Sequence, residues 1–168
     1  VVITDLDQAR VDKGLDYIRG EIAELLAKGR IGSDEANQLT ALVQGTTDKA
    51  DFADCDWVIE AVFEELGIKQ EVFAEVEKFI APEAILATNT SSLPITEIAA
   101  VTSRPESVIG MHFMNPVPVM TLVEIIRGIA TSDAVYLAVE GLAKIMGKTP
   151  VEVNDYPGFI SNRLLMPM

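Results

Sequence analysis

Residues 57–88 read WVIEAVFEELGIKQEVFAEVEKFIAPEAILAT, and the fold class follows from the order of the apolar patterns within them. The runs at 57–62 and 85–88 are short, apolar and rich in β-branched residues, which predicts two buried strands. The segment between them carries apolar side chains at the three- and four-residue spacing of a helix, namely Val72, Phe73, Val76, Phe79 and Ile80. A strand, a helix and a second strand in this order are typical of a parallel sheet with crossover helices.

The same alternation continues in both directions along the chain. Further strands are predicted at 1–4, 108–113, 122–126 and 149–153. Helices are predicted from Val11 to Leu26 with an end near Gly29, from a capping Ser33 to Leu42, from near Pro94, and over 132–146. We therefore expect an α/β fold of the doubly wound, Rossmann-like class, with a mostly parallel sheet covered on both faces.

A break in this pattern predicts the domain boundary. Pro157 and Gly158 interrupt the alternation, and residues 159–168 begin a new helix. We expect one domain over residues 1–154, and we expect residues 155–168 to start a second, all-α domain.

Composition excludes several classes of protein. With 168 residues and 49% hydrophobic residues, the chain is large enough to bury the core of one ordinary domain. A net charge of −13 argues against a nucleic-acid partner, because a phosphate backbone requires a basic surface. No apolar run approaches the roughly 20 residues that cross a bilayer, and the first residues do not resemble a signal peptide. We expect a soluble, cytoplasmic protein with no membrane partner.

Asp5 follows the first predicted strand, at the edge where doubly wound sheets bind ligands. A carboxylate there can accept hydrogen bonds from the two hydroxyls of the adenine ribose of NAD. A helix cap at Asp5 or Asp7 is an equally open interpretation. The chain has no G-x-G-x-x-G motif and no initiator methionine, so we expect the phosphate-binding glycine loop and its strand to lie upstream of Val1.

Two other polar segments have both a functional and a structural interpretation. Residues 89–94, Asn-Thr-Ser-Ser-Leu-Pro, separate a strand from a helix, where hydroxyls face a ligand or cap the helix. Asn162 lies one turn into the last predicted helix, where a surface or capping role is the default.

His112 and Glu124 form the sharpest pair of candidates. His112 is the only histidine of the chain, and a lone histidine beside an apolar strand is usually structural. Glu124, however, lies within the apolar run Leu-Val-Glu-Ile-Ile, where a carboxylate without a partner is costly to bury. If the two strands pair, Glu124 can hold one imidazole nitrogen and leave the other to exchange a proton with an alcohol.

Four motifs together resemble a known family. They are Asn89-Thr90-Ser91-Ser92-Leu93, Met111-His112-Phe113-Met114-Asn115-Pro116-Val117-Pro118, Leu122-Val123-Glu124 and Pro157-Gly158-Phe159-Ile160-Ser161-Asn162-Arg163. Their order and spacing resemble the L-3-hydroxyacyl-CoA dehydrogenases, most closely the bacterial 3-hydroxybutyryl-CoA dehydrogenases, although trifunctional fatty-oxidation enzymes share them. The resemblance covers essentially the whole chain.

The resemblance implies the catalytic and substrate-binding residues. His112 matches the catalytic histidine and Glu124 the carboxylate that orients it. Ser91 and Asn162 match residues that hold the substrate near its reacting oxygen, and Asn115 matches a further polar residue of that pocket.

The resemblance also implies the residues that bind coenzymes. Asp5 matches the ribose-binding acid, and Glu64 and Lys69 match positions beside the nicotinamide half of NAD. Ser91 and Asn115 are also implied to bind the cofactor. Lys28 is a candidate for a phosphate of coenzyme A, because Lys28-Gly29-Arg30 is the most basic stretch of the first helical region. No metal is implied.

The implied activity is the NAD-dependent interconversion of L-3-hydroxyacyl-CoA and 3-oxoacyl-CoA in fatty acid metabolism and β-oxidation, with a short acyl chain. The complete protein is expected to be a homodimer, formed through a helical domain that continues beyond this chain. Two alternatives remain: a non-catalytic structural or binding relative of the same fold, and a dehydrogenase of small hydroxy acids without coenzyme A.

Overall fold

The computed structural model describes residues 1–165, and the chain divides into two compact units, Val1–Asp54 and Cys55–Met168. Among the described residues, no helix has both the length and the apolarity that crossing a bilayer requires.

The first unit pairs two short strands with two helices. Its elements are β1 (Val2–Thr4), α1 (Gln8–Ala27), α2 (Ser33–Ala41), β2 (Gln44–Thr46) and a 3-10 turn at Lys49–Phe52. Strand β1 pairs with β2 in parallel. The prediction that Ser33 caps α2 is wrong: the backbone is still extended at Gly32, which is the cap residue, and Ser33 is already helical.

The second unit contains the main sheet. Its elements are β3 (Trp57–Glu60), α3 (Leu66–Val76), β4 (Ile85–Thr88), α4 (Ile95–Ala99), a 3-10 turn at Pro105–Ser107, β5 (Val108–Phe113), β6 (Leu122–Arg127), α5 (Asp133–Ile145), β7 (Thr149–Asn154) and α6 (Ser161–Leu165). The strand order is β3-β4-β5-β6-β7, and every neighbouring pair is parallel except β5 and β6. The predicted mostly parallel α/β fold is confirmed.

Alternate residues of β5 face the helices on the two sides of this sheet. Ile109 and Met111 pack in the apolar core that includes Val139 of α5. Gly110 faces Ile95 of α4 so closely that an added Cβ would lie 2.7 Å from its Cδ1 atom. Glycine therefore allows α4 to lie directly against the strand that ends in the site residues.

Asp155 anchors the segment that follows β7. Its carboxylate accepts hydrogen bonds from the backbone N–H groups of Ile95 and Thr96, both at 2.8 Å, and from Oγ1 of Thr96 at 2.6 Å. A residue 59 positions away thus binds the free N–H groups at the start of α4. The boundary between residues 154 and 155 stays a prediction. Of the helix expected over 159–168, the structure describes α6, and residues 166–168 lie outside the described residues.

Candidate active site

His112 and Glu124 face each other across antiparallel strands β5 and β6. Nδ1 of His112 lies 2.8 Å from Oε2 of Glu124, and the two residues are 6% and 1% exposed. Nε2 of His112 has no hydrogen-bond partner within residues 1–165, so this nitrogen is available to a ligand. The geometry is that of a carboxylate orienting an imidazole for proton transfer.

The other oxygen of Glu124 is held by backbone. Oε1 accepts hydrogen bonds from the N–H groups of Ile160 at 3.1 Å and Ser161 at 2.8 Å. Burial alone raises the pKa of Glu124, but the hydrogen bonds from His112, Ser161 and Ile160 outweigh it, so its pKa lies below the ordinary value. Glu124 is therefore held as the charged carboxylate beside His112.

Phe159 shapes this contact through an unusual backbone conformation. Its φ angle is +49°, although it is not glycine, and its side chain is 3% exposed. The ring centroid of Phe159 lies 5.7 Å from that of His112. The left-handed conformation at Phe159 immediately precedes the two N–H groups that bind Glu124.

Glu64 holds the turn formed by residues 90–92. Its Oε1 atom accepts hydrogen bonds from Oγ1 of Thr90 at 2.7 Å and from the N–H groups of Ser91 at 2.7 Å and Ser92 at 3.0 Å. Burial alone raises the pKa of Glu64. These hydrogen bonds and the charge of Lys69 lower the pKa by more than burial raises it, so the net pKa lies below the ordinary value. The hydroxyl of Thr90 also accepts from the N–H of Leu93. Residues 90–92 are thus bound by Glu64, and the residue before α4, Pro94, makes no side-chain cap.

Glu64, Ser91 and Asn162 line one cavity of about 350 Å³. Its other lining residues are Ser92, Pro157, Gly158 and Arg163. Nδ2 of Asn162 donates to the carbonyl oxygen of Ser91 at 2.9 Å, which joins α6 to the turn after β4. His112 is not among the lining residues, but its neighbour Phe113 donates its N–H to Oδ1 of Asn89 at 2.9 Å, which ties the ends of β5 and β4 together.

Lys69 lies behind the cavity. It is 1% exposed, and its Nζ atom is 2.8 Å from Oε1 of Glu60 and 3.6 Å from Oε2 of Glu64. Sequence reasoning missed Glu60, which is 3% exposed. The signal was the same as for Glu124, a carboxylate within an apolar strand.

The remaining predicted residues lie elsewhere in the described chain. Asn115 is exposed in the loop between β5 and β6, with no side-chain hydrogen bond to residues 1–165. Lys28 is exposed at the end of α1 and forms an ion pair with Glu24. These two positions stay predictions that rest on the resemblance.

Asp5 and Asp7 have different roles in the first unit. Oδ1 of Asp7 accepts the N–H of Arg10 at 2.9 Å, so Asp7 is the cap of α1. Among the described residues, Asp5 accepts only the neighbouring N–H of Leu6, at 2.6 Å through Oδ1, and it lies 3.8 Å from Arg10. Its Oδ2 atom has no hydrogen-bond partner among residues 1–165. The capping interpretation thus applies to Asp7, and the carboxylate of Asp5 is available to a ligand.

Comparison with known proteins agrees with this geometry. A family described as "3-hydroxyacyl-CoA dehydrogenase, NAD binding domain" matches residues 1–156. A protein of Deinococcus radiodurans named "Probable 3-hydroxybutyryl-CoA dehydrogenase" is 48% identical over 168 residues, which are 100% of this chain and 60% of that protein. A Bacillus subtilis protein of the same name is 50% identical over 166 residues, 98% of this chain and 57% of that protein.

A solved structure is similarly close. The (S)-3-hydroxybutyryl-CoA dehydrogenase of Ralstonia eutropha superposes with a TM-score of 0.96 at 42% identity, over 100% of this chain and 59% of that one. The chain spans about three fifths of the length of these relatives. Since the family match covers nearly the whole chain and includes the His112–Glu124 pair, this chain belongs to the family of 3-hydroxyacyl-CoA dehydrogenase NAD-binding domains.

Proposed function

We propose that the protein containing this chain interconverts L-3-hydroxyacyl-CoA and 3-oxoacyl-CoA with NAD, with 3-hydroxybutyryl-CoA and acetoacetyl-CoA as its substrate pair. The observation that carries the proposal is the buried 2.8 Å contact between Nδ1 of His112 and Oε2 of Glu124. This contact leaves Nε2 of His112 as the nitrogen that exchanges a proton with an alcohol. The names of the similar proteins support the choice of substrate.

In the oxidative direction, His112 takes the proton of the 3-hydroxyl group. NAD, when bound, would supply the acceptor for the hydride of C3. Glu124 stabilises the imidazolium that forms, because its second oxygen is already fixed by the N–H groups of Ile160 and Ser161. In the reductive direction, the same imidazolium returns the proton to the carbonyl oxygen.

Ser91 and Asn162 are proposed to position the reacting oxygen. Their contact at 2.9 Å supports this role, as does the hydroxyl of Ser91, which has no partner within residues 1–165. Two residues fixed to each other restrict the orientations that the substrate can adopt, which lowers the entropic cost of reaching the transition state.

The chain's own residues fit NAD at two places. The unpartnered Oδ2 of Asp5 can accept a ribose hydroxyl, and the charge of Asp5 would repel a 2′-phosphate. Glu64 and Ser91 line the cavity proposed for the reacting half. We further propose, from the resemblance, that Asn115 and Lys69 act on the cofactor side, that Lys28 binds a phosphate of the acyl-CoA, and that the whole protein is a homodimer.

The test is acetoacetyl-CoA-dependent loss of NADH absorbance, measured on the gene product that contains this chain. Turnover with acetoacetyl-CoA and its absence with free acetoacetate would support the proposal. Equal rates with the free acid would instead assign the protein to dehydrogenases of small acids. A folded protein that binds NADH but turns over neither compound would exclude the proposed activity.

A further inference from the structure

A buried ion pair lies behind the turn that carries Ser91. Lys69 on α3 and Glu60 at the end of β3 are 1% and 3% exposed, and Nζ lies 2.8 Å from Oε1. Burying two charges costs several kcal/mol per ion unless the geometry and the remaining hydrogen bonds compensate. An apolar pair of similar volume would fill this space at no such cost. The pair therefore calls for an explanation other than packing.

Besides Lys69, Glu60 binds donors at the ends of two strands. Oε1 accepts the N–H of Val62 at 2.5 Å as well as Lys69, and Oε2 accepts Oγ1 of Thr88 at 2.7 Å. Thr88 is the last residue of β4 and is fully buried. Glu60 thus fixes the lysine relative to the ends of two neighbouring strands, β3 and β4.

The ammonium of Lys69 pairs with Glu64, which lines the cavity. Nζ lies 3.3 Å from the carbonyl oxygen of Val62 and 3.6 Å from Oε2 of Glu64. The other oxygen of Glu64, Oε1, receives the donors of Thr90, Ser91 and Ser92. A fixed cation on one oxygen selects the orientation in which the opposite oxygen points at the turn.

We propose that Glu60 and Lys69 are positioning residues: they orient Glu64, which holds the 90–92 turn and with it Ser91 and its contact to Asn162. Lys69 lies on the cofactor side of the proposed site and acts on the reaction through Glu64, from which its Nζ atom is 3.6 Å away. The inference rests on the proposed function in one respect: the proposed function makes Ser91 a residue that positions the reacting oxygen. The contacts run from Glu60 through Lys69 and Glu64 to Ser91 and end at Asn162.

The first test reads the turn directly and needs no activity. In the Glu60→Gln/Lys69→Met double variant the buried charges disappear together, so folding should survive. We expect the amide protons of Ser91 and Ser92 to exchange about tenfold faster than in the unmodified protein, because their acceptor is no longer oriented. Lys69→Met alone should also accelerate the same two protons, and this variant serves if the double variant does not fold, because Glu60 keeps its hydrogen bonds from Val62 and Thr88.

An internal control comes from a second carboxylate that binds an exposed turn. Glu77 accepts the N–H of Ser103 at 2.8 Å, and the cation beside it is Arg104. Exchange at Ser103 should be unchanged in both variants. Equal exchange rates at Ser91 and Ser92 before and after substitution, in a folded variant, would overturn the proposal. Equal acceleration at Ser103 would overturn it as well, since it would indicate general loosening.

The second test is a kinetic cycle of Lys69→Met and Glu64→Gln. If Lys69 acts through Glu64, the double variant should have nearly the same kcat as the less active of the two single variants. The two effects on log kcat should then not add. Additive effects would show that Lys69 acts independently and would overturn the proposal. Lys144→Met is the matched control, because it removes a lysine from an exposed ion pair with Glu140 on α5, and its kcat should be unchanged.

The two tests separate this inference from the proposed function. Lack of turnover in the unmodified protein would exclude the activity, while the exchange rates of Ser91 and Ser92 would still decide whether Glu60 and Lys69 hold the turn.

Discussion

Oε2 of Glu124 lies 2.8 Å from Nδ1 of His112, and the two residues are directly opposed in the register of β5 and β6. Directly opposed residues of an antiparallel pair have their side chains on the same face of the sheet. A slip of one residue in either strand would place the two groups on opposite faces. The flanking residues Met111, Val123 and Ile125 are fully buried in the apolar core, which specifies this register.

Replacing His112 by Gln should remove the proton carrier without disturbing the fold. We expect kcat to fall by about 10²- to 10⁴-fold, because general acid–base catalysis contributes that much. The melting temperature should remain close to that of the unmodified protein, since glutamine keeps a polar group of similar length beside Glu124. NADH oxidation with acetoacetyl-CoA measures the first quantity and circular dichroism the second. A variant with unchanged kcat would rule out His112 as the acid.

Replacing Glu124 by Gln should be more damaging than the small change suggests. Glu124 receives donors on both oxygens, from His112 on one side and from Ile160 and Ser161 on the other. An amide has only one oxygen, so one side must face the NH₂ group, whichever way the side chain is turned. We expect kcat to fall by about 10²- to 10⁴-fold, because the carboxylate that stabilises the imidazolium becomes a neutral amide. A rate within twofold of the unmodified protein would contradict the pairing.

The lowered pKa of Glu124 predicts a specific loss of stability in acid. Its ordinary pKa is 4.5, which applies to the unfolded chain, and its folded pKa is lower. The stability that this difference supplies is fully present above pH 4.5 and is lost as the pH falls through the folded pKa. Denaturant titrations over a pH series should therefore give a shallower decline below pH 4.5 for Glu124→Gln than for the unmodified protein. Parallel declines would contradict this role.

The His112–Glu124 contact could be anticipated from sequence because each residue interrupts an apolar strand, and the strands are close in the chain. Eight residues separate β5 from β6, which is too few for the crossover that a parallel pair needs. The antiparallel pairing of these two strands could therefore also have been predicted from the sequence. Glu60 carried the same signal and could have been found by applying the rule again.

Other features depend on contacts that no local pattern reports. The Asn162–Ser91 hydrogen bond joins residues 71 positions apart, and Asp155 binds the start of α4 across 59 or 60 positions. Strand β2 was not predicted, because Gln-Gly-Thr has neither alternation nor a β-branched run and becomes a strand only by pairing with β1. Asn162 therefore had no functional assignment before the resemblance was considered.

The positive φ angle of Phe159 predicts an unusual order of stabilities. Phe159→Ala should lower the free energy of unfolding by about 3 to 5 kcal/mol, because the buried ring is lost. Phe159→Gly should be no less stable than Phe159→Ala, since glycine adopts a φ of +49° without strain. Phe73, which is fully buried within α3, is the control: there, glycine should be less stable than alanine by about 1 kcal/mol. Denaturant unfolding measures all four variants, and the same order at both positions would contradict the argument.

Asp5 and Asp7 provide a pair of variants that separate cofactor binding from helix capping. Asp7→Ala removes the acceptor of the Arg10 N–H and should lower the free energy of unfolding by about 1 kcal/mol without weakening NADH binding. Asp5→Ala keeps that cap and should change stability by less than about 0.5 kcal/mol. It should raise the Kd for NADH by about tenfold or more, because a charged acceptor for the ribose hydroxyls is lost. Fluorescence titration of NADH against the complete gene product measures the affinity. If Asp5→Ala binds NADH normally, Asp5 is not the ribose ligand, and its position at the end of β1 needs another explanation.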